Sequence, residues 1–401
     1  MNRLNKLLWK ITNHFISFYQ HTLSPDKWVF SPILKGRVCA HEPHCSAYGK
    51  ECMKRYGFWP GVAYTTHRVI SCTPSRMKKY DPSHYRVVFF SGSPIGVPFL
   101  EHLAQDTRFE VVWVVTMPDK ATGRGHEIKK NVIKEAAEKL SIKSIFDWAK
   151  IKQKSEDGTF LTESQVAASL QDLQADYFVV VAYGKIIPVD MLNIPTFWSI
   201  NVHGSILPAY RGASPLQTVF LDNRKETGIT VMRMSEWMDE WDIVSTYQFK
   251  LPFYRTAKDL FEKVMSAWPK VLADALWDLG KWHIESKPQE NTKATYCGKI
   301  EKEDGKIDLW STPLSEVYNK YRAYALWPKT WTVWTEDYPK IAEKTLVIED
   351  LICDEDIFHN HADAPIIGEW VQLNPAVSSI FIKPEGKKAM PWSDFVNGYL
   401  R

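Results

Sequence analysis

The sequence predicts an α/β protein with a mostly parallel sheet, preceded by a small basic helical module and followed by a β-rich domain. Three observations carry that reading. From about residue 86, apolar runs of strand length alternate with stretches of helical period, the pattern of a parallel sheet covered on both faces. Residues 1–86 carry 14 Lys/Arg against 4 Asp/Glu while residues 87–401 carry 36 against 43, so the chain is electrically two proteins. Residues 283–300 are polar and rich in Lys, Pro, Gln, Asn and Thr, which reads as a linker, and strand-like runs dominate beyond it.

With 401 residues, 45% of them hydrophobic and 24% charged, the chain is neither disordered, collagenous nor a polytopic membrane protein, and it has room for two or three domains. At its start, Leu4, Leu7, Leu8, Ile11, Phe15 and Phe18 recur at helical spacing, with Arg3, Lys6 and Lys10 on another face. This amphipathic helix is too charged to span a bilayer, which needs about 20 predominantly apolar residues. It can lie in the interface of an anionic membrane, where each basic residue is worth about 1 kcal/mol, or dock on its own domain. Without a secretory signal the expected location is the cytoplasm, peripheral on the cytoplasmic face of the plasma membrane. Cys39, Cys45, Cys52 and Cys72 lack the paired short spacings of zinc modules and read as structural thiols.

The α/β part then unfolds in order: strand-like RVVFF at 86–90, helical VPFLEHLA at 97–104, strand-like FEVVWVVT at 109–116 and helical IKKNVIKEAAEKL at 128–140. Strand-like ADYFVVVAY (175–183), SINVH (199–203), ITVMRM (229–234) and IVSTYQF (243–249) follow, then a long helix within 256–279. After the linker, a helix near 312–323 precedes the strand-like TWTVW, TLVIEDLI, EWVQL and SSIFIKP.

The most informative stretch is Asn201-Val202-His203 at the end of an apolar strand, followed by GSILPAYRGASP (204–215). Alternation puts Asn201 and His203 on one strand face, so an amide and an imidazole could converge on a single carbonyl, and in open α/β sheets ligands bind outside the carboxyl ends of strands. Together with VVVAYGKIIP, INVHGSILPAYRGASPLQ, TGITVMRMSEWMDEWDI, FSGSPIGVPFLEHL, VVTMPDKATGRG, KIDLWS, RAYALWP and KPEGKKAM, this string resembles the methionyl-tRNA formyltransferase family from about residue 86 to the C-terminus. The resemblance implies a Rossmann-like formyltransferase domain and a C-terminal OB-like β-barrel. It also implies 10-formyltetrahydrofolate as co-substrate, no metal, and initiator Met-tRNA as acceptor through its α-amino group.

By the same resemblance the catalytic trio falls on Asn201, His203 and Asp239. The chemistry asks for these types: an amine attacks the formyl carbonyl, an oxyanion develops, and a proton must pass to the leaving folate nitrogen. Asn201 can donate to the oxyanion, a contribution of roughly 3 kcal/mol for one such donor. His203 can donate or shuttle the proton, and Asp239 can fix its tautomer and favour its charged form. The folate contacts implied are Ser205, Leu207, Pro208, Arg211, Gly212, Pro215 and Asp242. Arg124, supported by Lys129 and Lys130, is implied to meet the tRNA acceptor end, although residues 301–401 carry 11 Lys/Arg against 17 Asp/Glu, an acidic balance for a tRNA-gripping domain.

FISFYQHTLSP, CAHEPHCSAYGKECMKRYGFWPG and RVISCTPSRMKKYDP resemble the YidD family of membrane protein insertion efficiency factors over residues 10–82, with Ala40 where members usually carry Arg. That resemblance implies a membrane-associated module and contact with the insertion machinery. The expected division is therefore 1–85, 86–285, a linker at 286–300, and 301–401. Two alternatives stay open: a formyltransferase acting on another amine such as a nucleotide sugar, and a membrane-tethered insertion factor with an inactive transferase domain.

Composition bears on the second. The chain has 19 Gly and 17 Trp, where an average usage of about 7% would give roughly 28 Gly. Trp113, Trp198, Trp237, Trp241 and Trp268 stand where the family commonly has Gly, and overpacking costs about 1–3 kcal/mol per site. The expectation is that these five are UGA codons, read as Gly in some bacterial lineages and as Trp in a common alternative code.

Overall fold

The computed structural model describes residues 84–400 except 123–126, 143–144, 148–152, 155–159, 162, 235–237, 282–283, 285, 335–339 and 369–370, together with a few positions between 53 and 66. The expected amphipathic helix at 1–20, Cys39, Cys45, Cys52, Cys72, Arg124 and Trp237 lie outside the described residues.

In chain order the first domain comprises β1 (Tyr85–Phe90), α1 (Val97–Gln105), β2 (Phe109–Thr116), a hairpin of β3 (Lys120–Thr122) and β4 (Glu127–Lys129), α2 (Val132–Lys139) and β5 (Ile145–Asp147). A small hairpin of β6 (Gln153–Lys154) and β7 (Phe160–Leu161) leads to α3 (Glu163–Asp172), β8 (Tyr177–Val180), α4 (Val189–Leu192) and β9 (Trp198–His203). Then come β10 (Arg211–Gly212), α5 (Pro215–Leu221), β11 (Glu226–Arg233), β12 (Ile243–Lys250) and α6 (Ala257–Gly280).

The main sheet has the order β12-β11-β9-β8-β1-β2-β5. The five strands from β9 to β5 are parallel, whereas β11 and β12 add an antiparallel edge. From β1 the chain first builds outward through β2 and β5, then returns to β8 on the other side. The order thus reverses between β1 and β8, the kind of switch point at whose carboxyl ends ligands bind.

Both faces of the central strands are covered, which is why RVVFF and YFVV are continuous apolar runs. Tyr85, Val87 and Phe89 point to a core shared with Phe99 of α1 and Trp268, Leu272 and Leu276 of α6. Val88 and Phe90 point the other way, to Val166 and Leu170 of α3 and Met191 of α4. Helix α6 starts at a capping box in which Thr256 and Asp259 satisfy each other's backbone N–H, and it buries Leu260, Val264, Trp268, Leu272, Leu276 and Leu279 along one stripe.

Two sequence expectations shift. Residues 128–129 belong to the β3–β4 hairpin, and the following helix begins at Val132 because the Asn131 side chain caps it, accepting from Ile133 N at 2.9 Å. Of the expected strand EWVQL, residues 369–370 lie outside the described residues and residues 371–373 form only the bridge Ile367–Leu373, beside a loop that Asn374 fixes by donating to the carbonyls of His361 and Pro365 at 3.1 Å each.

The C-terminal part contains α7 (Leu314–Ala323), α8 (Glu355–His361), α9 (Trp392–Tyr399) and an antiparallel sheet, β14 (Thr330–Val333), β15 (Thr345–Cys353), β16 (Val377–Pro384) and β17 (Met390–Pro391). Its order is the linear β14-β15-β16-β17, with no closure into a barrel among the described residues. This part docks on the first through α7: the buried Arg322 donates through Nε to the Arg255 carbonyl at 2.9 Å, and Tyr318 donates its hydroxyl to the Phe253 carbonyl at 3.3 Å.

Candidate active site

Strand β9 ends at the carboxyl edge of the sheet, paired on one side with β8 and on the other with β11. Asn201 and His203 share a face, as alternation requires. Asn201 is half-buried, and no hydrogen bond among the described residues engages its carboxamide. His203 is 5% exposed, with Nε2 2.8 Å from the Tyr210 carbonyl oxygen. A carbonyl only accepts, so the ring presents an N–H there and leaves Nδ1 facing Asp239 Oδ1 at 3.5 Å.

Asp239 arrives from the loop between β11 and β12. Its carboxylate is 9% exposed and Oδ2 accepts from the Gly212 amide at 2.9 Å. Its φ of +56° places it in the left-handed region, which a non-glycine residue holds only when its surroundings fix it. Gly212 itself has φ +119°, and a Cβ there would collide with the Cys297 carbonyl oxygen, so only glycine fits.

The expected linker supplies much of this scaffold. Between Glu285 and Ile300, β13 (Tyr296–Cys297) pairs in parallel with β10, and Ile243 and Lys287 exchange backbone bonds of 2.8 Å. Gln289 donates through Nε2 to the carbonyls of Asp239 at 2.9 Å and Trp241 at 2.6 Å. Arg211, 1% exposed, turns its guanidinium to Gln289, Asn291 and the Tyr296 hydroxyl, with Glu240 at 3.5 Å.

The remaining sequence-predicted folate contacts sit in the loop from β9 to α5 or just past Asp239. Ser205 is buried, donates to the Ala209 carbonyl and accepts from the Thr230 hydroxyl at 2.7 Å through its own carbonyl. Leu207 and Pro215 are buried, Pro208 follows a cis peptide, and Asp242 Oδ2 accepts from the Ser286 hydroxyl at 3.2 Å. Of the residues implied to meet tRNA, Lys129 and Lys130 are exposed at the β3–β4 hairpin after β2, with Lys130 paired to Glu138 at 2.7 Å. Sequence reasoning missed Gln289; the alternation of Lys287, Gln289 and Asn291 within a polar run was the available signal.

Chemically, the site offers a free amide donor beside an oriented imidazole–carboxylate pair, a combination suited to stabilising charge on a carbonyl oxygen while moving a proton. The nearby Cys297 is not an activated nucleophile: burial pushes its thiol up from the ordinary value, and it donates to the Tyr210 and Arg211 carbonyls. Among the described tryptophans at issue, Trp268 is fully buried with Nε1 unpaired, Trp198 lies against the Arg233 guanidinium at 4.0 Å, and Trp113 and Trp241 are half-buried. None of the four has a positive φ, so their backbones do not themselves demand glycine.

Residues 85–276 match the family model described as "Formyl transferase", residues 299–400 that described as "Formyl transferase, C-terminal domain", and residues 8–84 YidD, described as "Putative membrane protein insertion efficiency factor". The methionyl-tRNA formyltransferase of Natranaerobius thermophilus is 30% identical over 78% of this chain and 97% of its own length. That of Caldicellulosiruptor saccharolyticus is 32% identical over 78% and 96%. A solved N-formyltransferase from Helicobacter canadensis, in complex with folinic acid and dTDP-3-aminofucose, is 17% identical with a TM-score of 0.49, covering 77% of this chain and 98% of its own.

Proposed function

The chain belongs to the methionyl-tRNA formyltransferase family, and from that premise we propose that it transfers the formyl group of 10-formyltetrahydrofolate to the α-amino group of methionyl initiator tRNA, with Asn201, His203 and Asp239 as its catalytic group. The observation that carries the reading is the pairing of His203 with Asp239 beside the unengaged Asn201 carboxamide at the carboxyl edge of the sheet.

The residues present fit the folate. Ile186, on the loop after β8, and Met238, on the loop after β11, stand exposed as apolar surface for a flat ring, while Gly92 just past β1 lets Met117 and the Tyr183 carbonyl close in where a Cβ would collide. The folate supplies the formyl group on a nitrogen able to leave. Asn201 donates to the formyl oxygen as charge gathers on it, and His203 carries the amine proton toward the departing nitrogen. To do so the imidazole exchanges its Tyr210 carbonyl for substrate, while Asp239 keeps the ring oriented. Ser205, Leu207, Pro208, Gly212, Pro215 and Asp242 shape the loops on which the folate rests, and Arg211 acts from beneath them.

Lys129 and Lys130, with Arg124, meet the acceptor end of the tRNA. We assign residues 1–85 to a YidD-like module that holds residues 1–20 on an anionic membrane surface near the insertion machinery, residues 86–285 to the catalytic domain, and residues 301–401 to an OB-like domain.

Incubating the purified full chain with 10-formyltetrahydrofolate and methionyl initiator tRNA tests the proposal. Formylmethionyl-tRNA should accumulate, and should not when unformylated tetrahydrofolate replaces the donor. A folded protein that formylates a nucleotide amino sugar and leaves Met-tRNA untouched would overturn it.

A further inference from the structure

We propose that Gln289, in the segment joining the two domains, is a positioning residue for formyl transfer, acting by holding Asp239 against His203. The proposal rests on the reading of His203 and Asp239 as the catalytic pair. Asp239 is fixed at both ends: its carboxylate accepts from the Gly212 amide at 2.9 Å, and its carbonyl accepts from Gln289 Nε2 at 2.9 Å. The second Nε2 proton goes to the Trp241 carbonyl at 2.6 Å, so one amide group spans the turn that carries the carboxylate.

The other end of the Gln289 side chain is equally committed. Oε1 accepts from Arg211 Nε at 3.1 Å and Nη2 at 2.8 Å. Arg211 is almost wholly buried and also donates to Asn291 Oδ1 at 2.7 Å. Two residues earlier, the paired backbone bonds between Lys287 and Ile243 set the register that aims Gln289 inward. Gln289 therefore ties the loop after β9, which carries Arg211 and Gly212, to the loop after β11, which carries Asp239. These are the two loops whose relative placement sets the His203–Asp239 separation.

A carboxamide of this length offers an acceptor to the guanidinium and two donors to the carbonyls. Glutamate preserves the first and destroys the second, because an oxygen then faces the Asp239 and Trp241 carbonyls. Gln289→Glu thus keeps the Arg211 anchor and disturbs the catalytic turn. A catalytic group displaced by about 1 Å can lose on the order of 100-fold in rate.

The test measures kcat, KM for both substrates and the thermal unfolding midpoint for wild type, Gln289→Glu, Gln289→Ala and Asp239→Asn. Gln289→Glu should lose about 10- to 100-fold in kcat with both KM values and the midpoint unchanged, whereas Gln289→Ala should lose kcat and also unfold at lower temperature. Wild-type kcat in Gln289→Glu with an inactive Asp239→Asn would overturn the positioning role and leave the catalytic pair intact. An active Asp239→Asn would overturn the catalytic pair, and this proposal with it. A Gln289→Glu loss confined to KM, or matched by loss of folded protein, would also overturn it.

Discussion

Two loop systems flank the site, and they are tied down very differently. On the β9 and β11 side, Arg211, Gly212, Asp239, Trp241, Gln289 and Asn291 share hydrogen bonds of 2.6 to 3.1 Å, and Arg211 and Asp239 are buried. On the β2 side, the β3–β4 hairpin is fastened at its base, where Thr116 donates to Asn131 Oδ1 at 2.9 Å and Asn131 N donates to Asp119 at 2.8 Å. Beyond that base it presents Ile128, Lys129 and Lys130 to solvent. The contrast matches two physical demands. Charge stabilisation and proton transfer need groups placed to fractions of an ångström, whereas contact with a phosphate backbone is long-ranged and tolerant of geometry.

Breaking the fixed side should have the largest effect. His203→Ala should lower kcat by roughly 100- to 10,000-fold and Asn201→Ala by roughly 100- to 1,000-fold, with circular dichroism and unfolding midpoint near wild type in both. A loss confined to KM would show that these side chains bind without taking part in the chemistry. Charge reversal on the loose side, Lys129→Glu with Lys130→Glu, should raise KM for Met-tRNA several-fold, flatten its dependence on salt and leave kcat unchanged. An unaltered KM would remove the hairpin from the tRNA surface.

A smaller effect sharpens the comparison from outside the site. The Arg108 guanidinium holds the Asp106 carboxyl below its ordinary value of 3.8, and Arg108 also reaches Asp274 on α6 at 2.9 Å. A carboxylate depressed in the folded state stabilises the fold above its unfolded value and loses that contribution as pH falls through the folded one. Asp106→Asn should therefore lower the unfolding midpoint at neutral pH and flatten its decline below about pH 4, with kcat at neutral pH unchanged. Parallel acid curves for variant and wild type would contradict this.

The parallel strands and the Asn201–His203 pair were legible because both follow from local periodicity: strand alternation alone puts the two side chains on one face. Asp239 has no such local signature. It comes from another loop, enters at φ +56° and was named only through family resemblance. Arg211 was named as a folate contact through the same resemblance, on a rigid loop suited to framing a ligand. Its burial against Gln289 and Asn291 depends on partners some 80 residues away, which no window of sequence contains. The same gap hid the linker's role, since polar composition resembles a solvated connection until its hydrogen bonds are found to be internal.

The tryptophans pose a related question about what fills space. Trp268 lies in the core with an unpaired Nε1, an arrangement that costs about 1–3 kcal/mol, and Trp198 packs on Arg233. Mass spectrometry of peptides from the native host decides between decodings: UGA recoding predicts glycine at positions 113, 198, 237, 241 and 268, and intact tryptophan at all five contradicts it.

The central claim is that His203 and Asp239 act as one unit. Single-turnover formylation of Met-tRNA by His203→Ala, by Asp239→Asn and by the double variant tests it most directly. The double variant should be no slower than the slower single variant. Rate losses that multiply would show two groups working independently, and would contradict the pairing on which the mechanism is built.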